Sequence, residues 1–381
     1  MTGLTKDELS RLVKGVFPRL PDDRFLGVMV DIPTRTEKDN PLWKDRRLLA
    51  QEWYSLLREL FIDLHLHGVK LFAYPDVGSN NADLPSHGFL LSGDLPDTAD
   101  GLAAEGPSLS FSDIFRKTQL FLAMTEYSAT APLKMAARTF GFRAATMPGF
   151  SRDMIPALRI DYNTVSRRVI QIKERLDRAQ AARVVFSVNG GRTCDMIFDL
   201  RDRPGHASTG RFPEAGTAGN LPSGEAYIVP YEGEGEKSIT EGCLPVETEK
   251  GLVYFTVQEN RAVFVEGEEP AAAAEAEHLR REPAYGNMAE LGFGVLGNFG
   301  LDATGSILLD EKLGFHIAFG RSEHFGGITG PDSFSSPSEV IHLDRIYIPS
   351  MQPRIQIRSL DLDYGAGETE CLMAEGRYLV F

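Results

Sequence analysis

The chain has 381 residues, 42% of them hydrophobic and 25% charged, with a formal net charge of −14. That length allows two domains with substantial cores, and the composition is that of an ordinary globular protein. The acidic balance argues against a nucleic-acid backbone as partner, which needs a basic surface, and suits divalent cations or small molecules.

The first segment, MTGLTKDELSRLVKGVF, reads as a capped amphipathic helix and not as a secretory signal. No apolar run reaches the ~18 residues of a membrane span. The expectation is a cytoplasmic protein with no membrane partner. Residues 25–33, FLGVMVDIP, form a compact apolar run ending at proline, a buried-strand pattern. Residues 46–68 have helical periodicity and a glycine stop, with His65 and His67 near the expected helix end. Residues 69–77 are strand-like again, and 115–149 read as strand, loop, helix and strand. Strands alternating with helices imply an α/β fold with a doubly wound, mostly parallel sheet.

Residues 160–180 are strongly amphipathic, and a domain junction is placed near 155 just before them. The expected division is 1–155, an α/β domain, and 156–381, a β-rich α+β domain. In the second part, 183–200 read as two strands around the turn Asn189-Gly190-Gly191. Residues 226–231, 251–268, 305–320 and 340–348 read as further strands, and 268–283 as an exposed Ala- and Glu-rich helix. The glycine-rich run 292–300 reads as a turn, because it lacks the order of a dinucleotide or phosphate loop. Cys194, Cys243 and Cys371 show no CxxC spacing, and so neither a disulfide framework nor a zinc ribbon. No GxSxG elbow is present.

The chemistry-bearing residues cluster in glycine-flanked strands of the second part. Glu225 lies in NLPSGEAYIVP and Glu290 in GNMAELGFG. Glu311 and His316 lie in EKLGFHIAFGRSEHFGG, and His342 and Asp344 in VIHLDRIYI. In a strand, His342 and Asp344 point to one face and can reach a common centre. Singly, each has an ordinary explanation, since a strand histidine is commonly a hydrogen-bonded core residue. Together they need a common one. An unpartnered buried carboxylate is costly, and a divalent metal pair would balance several of them. Imidazole and carboxylate suit Zn, Co, Mn or Fe.

These segments resemble those of the aminopeptidase T family of metallopeptidases, the thermophilic leucyl aminopeptidases. NLPSGEAYIVP is similar to its asparagine–proline–glycine–glutamate segment, and MAELGFG to its alanine–glutamate–leucine–glycine segment. TGSILLDEKLGFHIAFG is similar to its aspartate–glutamate–lysine…histidine segment, with FGG and HLD following in the same order. The resemblance covers about residues 183–345. It implies two divalent metal ions (Zn, Co or Mn) held by Glu225, Glu290, Glu311, His316, His342 and Asp344, with Glu290 bridging. It also implies a peptide or small-molecule substrate and a homodimer. One position departs from it. The family carries a tyrosine seven residues after the histidine of HIAFG, and this chain has Glu323. Either His324 or another donor such as Arg321 substitutes in catalysis beside Glu290 and Glu323, or peptide hydrolysis is not the reaction. Two alternatives therefore stand beside an aminopeptidase. One is a ring-cleaving dihydroxypyridine dioxygenase with a single Fe(II) on His316, His342 and Asp344. The other is a catalytically silent homologue.

Overall fold

The computed structural model describes residues 3–381. They divide into two compact units, and each is discontinuous in sequence. The first holds residues up to 166 together with 208–223 and 304–309, and the second holds 167–207, 224–303 and 310–381.

The first unit is built on a seven-stranded sheet. Its helix α1 (Lys6–Val16) starts at Thr5, whose hydroxyl accepts from the Glu8 amide while the Glu8 carboxylate accepts from the Thr5 amide. Strand β1 (Phe25–Ile32) is followed by α2 (Pro41–Leu60), which Asn40 caps through its side-chain oxygen and Pro41 opens. The sheet continues through β2 (Gly68–Pro75), β3 (His87–Leu91), β4 (Ser108–Ser110), β5 (Leu120–Ala123) and β6 (Arg143–Thr146). Short α3 (Leu102–Glu105) and α4 (Phe111–Arg116) flank β4, and α5 (Thr130–Phe140) joins β5 to β6. After α6 (Ile155–Leu158), the chain passes from one unit to the other within α7 (Tyr162–Leu176).

Strands β2, β1, β5 and β6 run parallel, and β3 and β4 add antiparallel strands at one edge. This is the doubly wound, mostly parallel sheet expected. Phe72, Phe111, Phe115, Phe121 and Phe142 fill one of its core clusters, with Phe115 and Phe142 stacked at 4.7 Å.

Two features differ from expectation. The helix expected over 46–68 ends at Leu60, and a turn with His65 at φ 56° leads to β2. The two histidines therefore lie in a connection and not on a helix end. The sheet also gains β10 (Ala218–Asn220), which returns to pair in parallel with β6. A long-range pairing of this kind leaves no local periodicity, and it interrupts the simple division near 155.

The second unit carries two sheets. The strands of the larger are β7 (Ala181–Val188), β8 (Arg192–Asp199), β12 (Glu241–Thr248), β13 (Gly251–Gln258), β14 (Arg261–Gly267), β18 (Ile355–Asp363), β19 (Thr369–Ala374) and β20 (Arg377–Tyr378). These eight order as β14-β13-β12-β8-β7-β18-β19-β20. The hairpin around Asn189-Gly190-Gly191 forms where the sequence places it. Helix α8 (Ala271–Arg281) follows β14. The smaller sheet comprises β9 (His206–Ser208), β11 (Glu225–Ile228), β15 (Met288–Gly294), β16 (Phe315–Gly320) and β17 (His342–Ile346). Its five strands order as β17-β16-β15-β11-β9. A short α9 (Ile307–Asp310) and a 3-10 turn over Glu311–Leu313 occupy the start of the segment 305–320 expected as strand. Gly314, in extended conformation, ends that turn and lets β16 begin at Phe315. Among the described residues no helix is long and apolar enough to cross a membrane.

Candidate metal centre

The five-stranded sheet sets the centre by register. In its antiparallel ladders Glu225 faces Gly294, Gly292 faces His316, Glu290 faces Ala318, Ala318 faces Asp344 and Gly320 faces His342. Because side chains alternate, Glu225, Glu290, His316, His342 and Asp344 all project from one face, drawn from four adjacent strands. The positions between them are glycine or alanine, which leaves the space to the donors. Gly292 is the sharpest case: a Cβ there would sit 1.9 Å from His316 Nε2. The imidazole therefore lies across the Gly292 backbone. The glycine run 292–300, expected as a turn, thus begins inside β15 and serves as the floor of the site.

The donors converge. His316 Nε2 lies 3.8 Å from Glu225 Oε2, 3.7 Å from Glu290 Oε1 and 3.8 Å from Asp344 Oδ1. His342 Nε2 lies 3.2 Å from Glu290 Oε2 and 3.6 Å from Asp344 Oδ1. Glu290 thus turns one oxygen to each histidine. The Nδ1 atoms lie beside backbone carbonyls, Gly314 O at 3.3 Å and Arg321 O at 2.7 Å. Donation from Nδ1 to those carbonyls leaves Nε2 as the lone-pair atom facing inward, the orientation a metal-ligating imidazole takes.

Burial alone would lower the His316 pKa, but Glu290, Asp344 and Glu225 push it up to about 9. Burial opposes the charged form of His342 too, and hydrogen bonding with Asp344 and Glu290 raises it well above the ordinary histidine value. Burial would raise Glu290, yet both histidines hold it far below the carboxylate range. The carboxylates and imidazoles thus favour each other's charged forms. Glu225 Oε2 is buried with no hydrogen-bond partner, an orphan of the kind native interiors rarely leave.

The donor set fits divalent metals. Glu225, Glu290 and His316 offer atoms all within 4.8 Å of one another, and so do Glu290, His342 and Asp344. The two triads share Glu290. Mixed carboxylate and imidazole donors suit Zn, Co, Mn or Fe.

Glu311 is in neither triad. It lies in the 3-10 turn, and its carboxylate accepts from the neighbouring Lys312. Lys312, only 2% exposed, also donates to Glu225 Oε1 at 2.6 Å, so its ammonium sits between the two glutamates. Burial pushes Glu311 up to about 8, against the pull of Lys312. Gly294 admits this turn, since a Cβ there would meet the Lys312 carbonyl carbon at 2.3 Å.

Glu323 and His324 lie in a 3-10 turn over Glu323–Phe325. Arg321 grips the Glu323 carboxylate with two hydrogen bonds of 2.6 and 2.5 Å and holds it below the usual range. The group is an ionised acid, which cannot donate to an oxyanion. The His324 ring lies edge-on to His342 at 5.3 Å, and burial brings it down to about 4, so it is neutral. Phe325 packs on both His342 and Tyr227 at 5.4 and 5.0 Å, and Tyr227 stacks on His206 at 4.9 Å.

Three contributors are not legible in the sequence pattern in the way the candidate ligands are. Lys312 sits beside Glu311 in DEKLGFH, where a lysine inside an apolar, glycine-rich run is the one available signal. Gly292 has no signal beyond its glycine neighbours. Glu232 lies in the segment EGEGE (232–236), which matches no motif. In the fold its Oε2 accepts from the Ile328 and Thr329 amides at 2.9 and 3.0 Å, and Oε1 accepts from Asn287 Nδ2 at 3.0 Å. It pins the loop that carries Glu323 and His324.

No protein-family model matches the chain, and no curated protein sequence does. Solved structures do. The 2,5-dihydroxypyridine dioxygenase of Pseudomonas putida KT2440 is similar at TM-score 0.58 and 16% identity, over 99% of this chain and 98% of that one. Wild-type AmpT from Thermus thermophilus is similar at TM-score 0.56 and 14% identity, over 98% of this chain and 99% of that one. At these identities the likeness is one of fold.

Proposed function

We propose that the chain is a metal-dependent aminopeptidase with a dinuclear centre on the five-stranded sheet. The observation that carries this reading is Glu290, whose two oxygens face His316 and His342 separately. A carboxylate so placed suits two ions, with Glu225 and His316 on one side and His342 and Asp344 on the other. Charge is compatible with bound cations: with Glu311 pushed up to about 8, Glu225, Glu290 and Asp344 are set against the single ammonium of Lys312, an excess of two negative charges. The fold shared with AmpT is consistent with it. Two bound cations would supply Lewis acidity toward a scissile carbonyl and would acidify a water. The protein's own part is positioning. Gly314 O and Arg321 O fix the imidazoles, Lys312 spaces Glu225 from Glu311, and Phe325 and Tyr227 form an apolar wall beside His342.

One observation favours a second reading. His316, His342 and Asp344 also form a two-histidine, one-carboxylate set around Asp344 Oδ1, at 3.8 and 3.6 Å. Such a set suits a single Fe(II) and an oxygenase, and the fold is shared with the dioxygenase as well. The test assays metal-loaded protein both ways. Release of N-terminal residues from leucyl, arginyl and aromatic peptides is expected. Oxygen uptake on dihydroxypyridines with iron, and no peptide cleavage with any metal, would replace the first reading by the second.

A further inference from the structure

Two of the three cysteines, 49 residues apart, meet in the eight-stranded sheet. Strands β8 and β12 pair through Glu241 with Ile197 and Gly242 with Met196. Gly242 has φ 138°, and a Cβ there would lie 2.1 Å from the Asp195 carbonyl oxygen. The backbones thus close tightly just before Cys243. Its Sγ comes within 2.8 Å of Cys194 Sγ. Cys243 is partly exposed and Cys194 is buried behind it. Arg192 lies beside both sulfurs. Its guanidinium is held 3.6 Å over the Tyr254 ring and bonded to Glu266 Oε1 at 2.9 Å. Neither sulfur belongs to a donor triad of the metal centre.

We propose that Cys243 and Cys194 are a thiol redox pair, Cys243 attacking and Cys194 resolving, which exchanges with small disulfides to give a reversible cross-link between β8 and β12. The thiolate of Cys243 attacks one sulfur of the small disulfide, breaks its S–S bond and releases one thiolate. Cys194 passes its proton to that thiolate, attacks the Cys243 sulfur and expels the second thiolate, which takes up the proton Cys243 had lost. Two protein thiols are oxidised and one small disulfide is reduced to two thiols. The surroundings suit these roles. Hydrogen bonding between the two sulfurs, with the charge of Arg192, brings the Cys243 thiol down to about 7 against the effect of burial. The same contact, with burial, raises Cys194. An attacking thiol works best with a pKa near the ambient pH.

The experiment equilibrates the full chain in mixtures of reduced and oxidised glutathione, quenches with acid and blocks free thiols with iodoacetamide under denaturing conditions. Mass analysis of the digest then locates every cysteine. The expected result is a linked peptide pair holding Cys194 and Cys243, reversed by dithiothreitol, with Cys371 outside it. Cys194→Ser is expected to trap glutathione on Cys243, and Cys371→Ser to keep the link. The proposal is overturned if both sulfurs stay alkylated at every ratio, or if wild-type Cys243 stops at the glutathione adduct. The readout involves neither the metal nor the hydrolytic activity, so it stands apart from the proposed function.

Discussion

Buried acids in the two units are handled in opposite ways. Asp31 on β1 is fully enclosed, yet the Trp43 indole donates to its Oδ1 at 3.0 Å and the Glu126 and Tyr127 amides donate at 2.8 and 3.0 Å. The protein itself completes that site. Glu225 on β11 has one oxygen on Lys312 and the other buried without a donor, and Glu290 faces only imidazole nitrogens. Asp31 is satisfied by its own chain, whereas Glu225 and Glu290 keep oxygens that a cation could take. That contrast separates the candidate centre from the rest of the core, and it can be attacked from either side.

The largest effect is expected at Glu290, the proposed shared ligand. Glu290→Gln should abolish both metal retention and activity, exceeding the roughly 100-fold loss typical of an outer partner. Metal analysis with peptide release checks both. Full metal retention in this variant would remove Glu290 from the bridge.

Next is Lys312→Met. Breaking a buried charge pair from one side typically costs about 3–5 kcal/mol, because the partner is left uncompensated. Here Glu225 and Glu311 lose their common cation, so denaturant unfolding of metal-free protein should show a loss of that order, partly recovered on adding metal. Recovery is the sharper part of the prediction, because Asp31, satisfied by the chain, offers no counterpart to it.

Gly292→Ala is expected to cost about 1–3 kcal/mol as an overpacked position and to lower metal stoichiometry by displacing His316. A Cβ 1.9 Å from Nε2 cannot be accommodated with the ring in place. Unchanged metal binding and stability would show that the ring does not lie across this backbone.

The last effect, one confined to a pH window, belongs to Asp31. Burial pushes its carboxyl up to about 6, with the amide and indole donors opposing. The folded state then binds the proton more tightly than the unfolded chain, whose aspartate has a pKa of about 3.9. Stability from this group is full below about pH 4 and is lost as the pH rises through about 6, by at most about 3 kcal/mol. Asp31→Asn should flatten that slope in denaturant melts taken across the window. An unaltered slope would mean that Asp31 stays ionised throughout and that its donors satisfy it more fully than the contrast requires.

Much of the site is legible in the sequence because the strand period of two is a local property. The tripeptide HLD by itself puts His342 and Asp344 on one face, and apolar neighbours mark Glu290 and His316 as buried. The Asn189-Gly190-Gly191 hairpin follows from turn chemistry in the same way. What is not legible depends on pairing between distant segments. The register that lays His316 over Gly292, the return of β10 to β6 and the meeting of Cys194 with Cys243 all need the assembled sheets. Glu311 differs for another reason: a short turn before Gly314 breaks the alternation that a strand over 305–320 would have had, and it puts Lys312 inside.

The central claim is that this sheet face holds two cations through a shared Glu290. The most direct test is the metal content of the purified, reconstituted chain beside its His342→Ala variant. About two equivalents of divalent metal per wild-type chain are expected, with a clear reduction in the variant. A wild-type chain that binds no metal, or a variant that keeps its full complement, would contradict it.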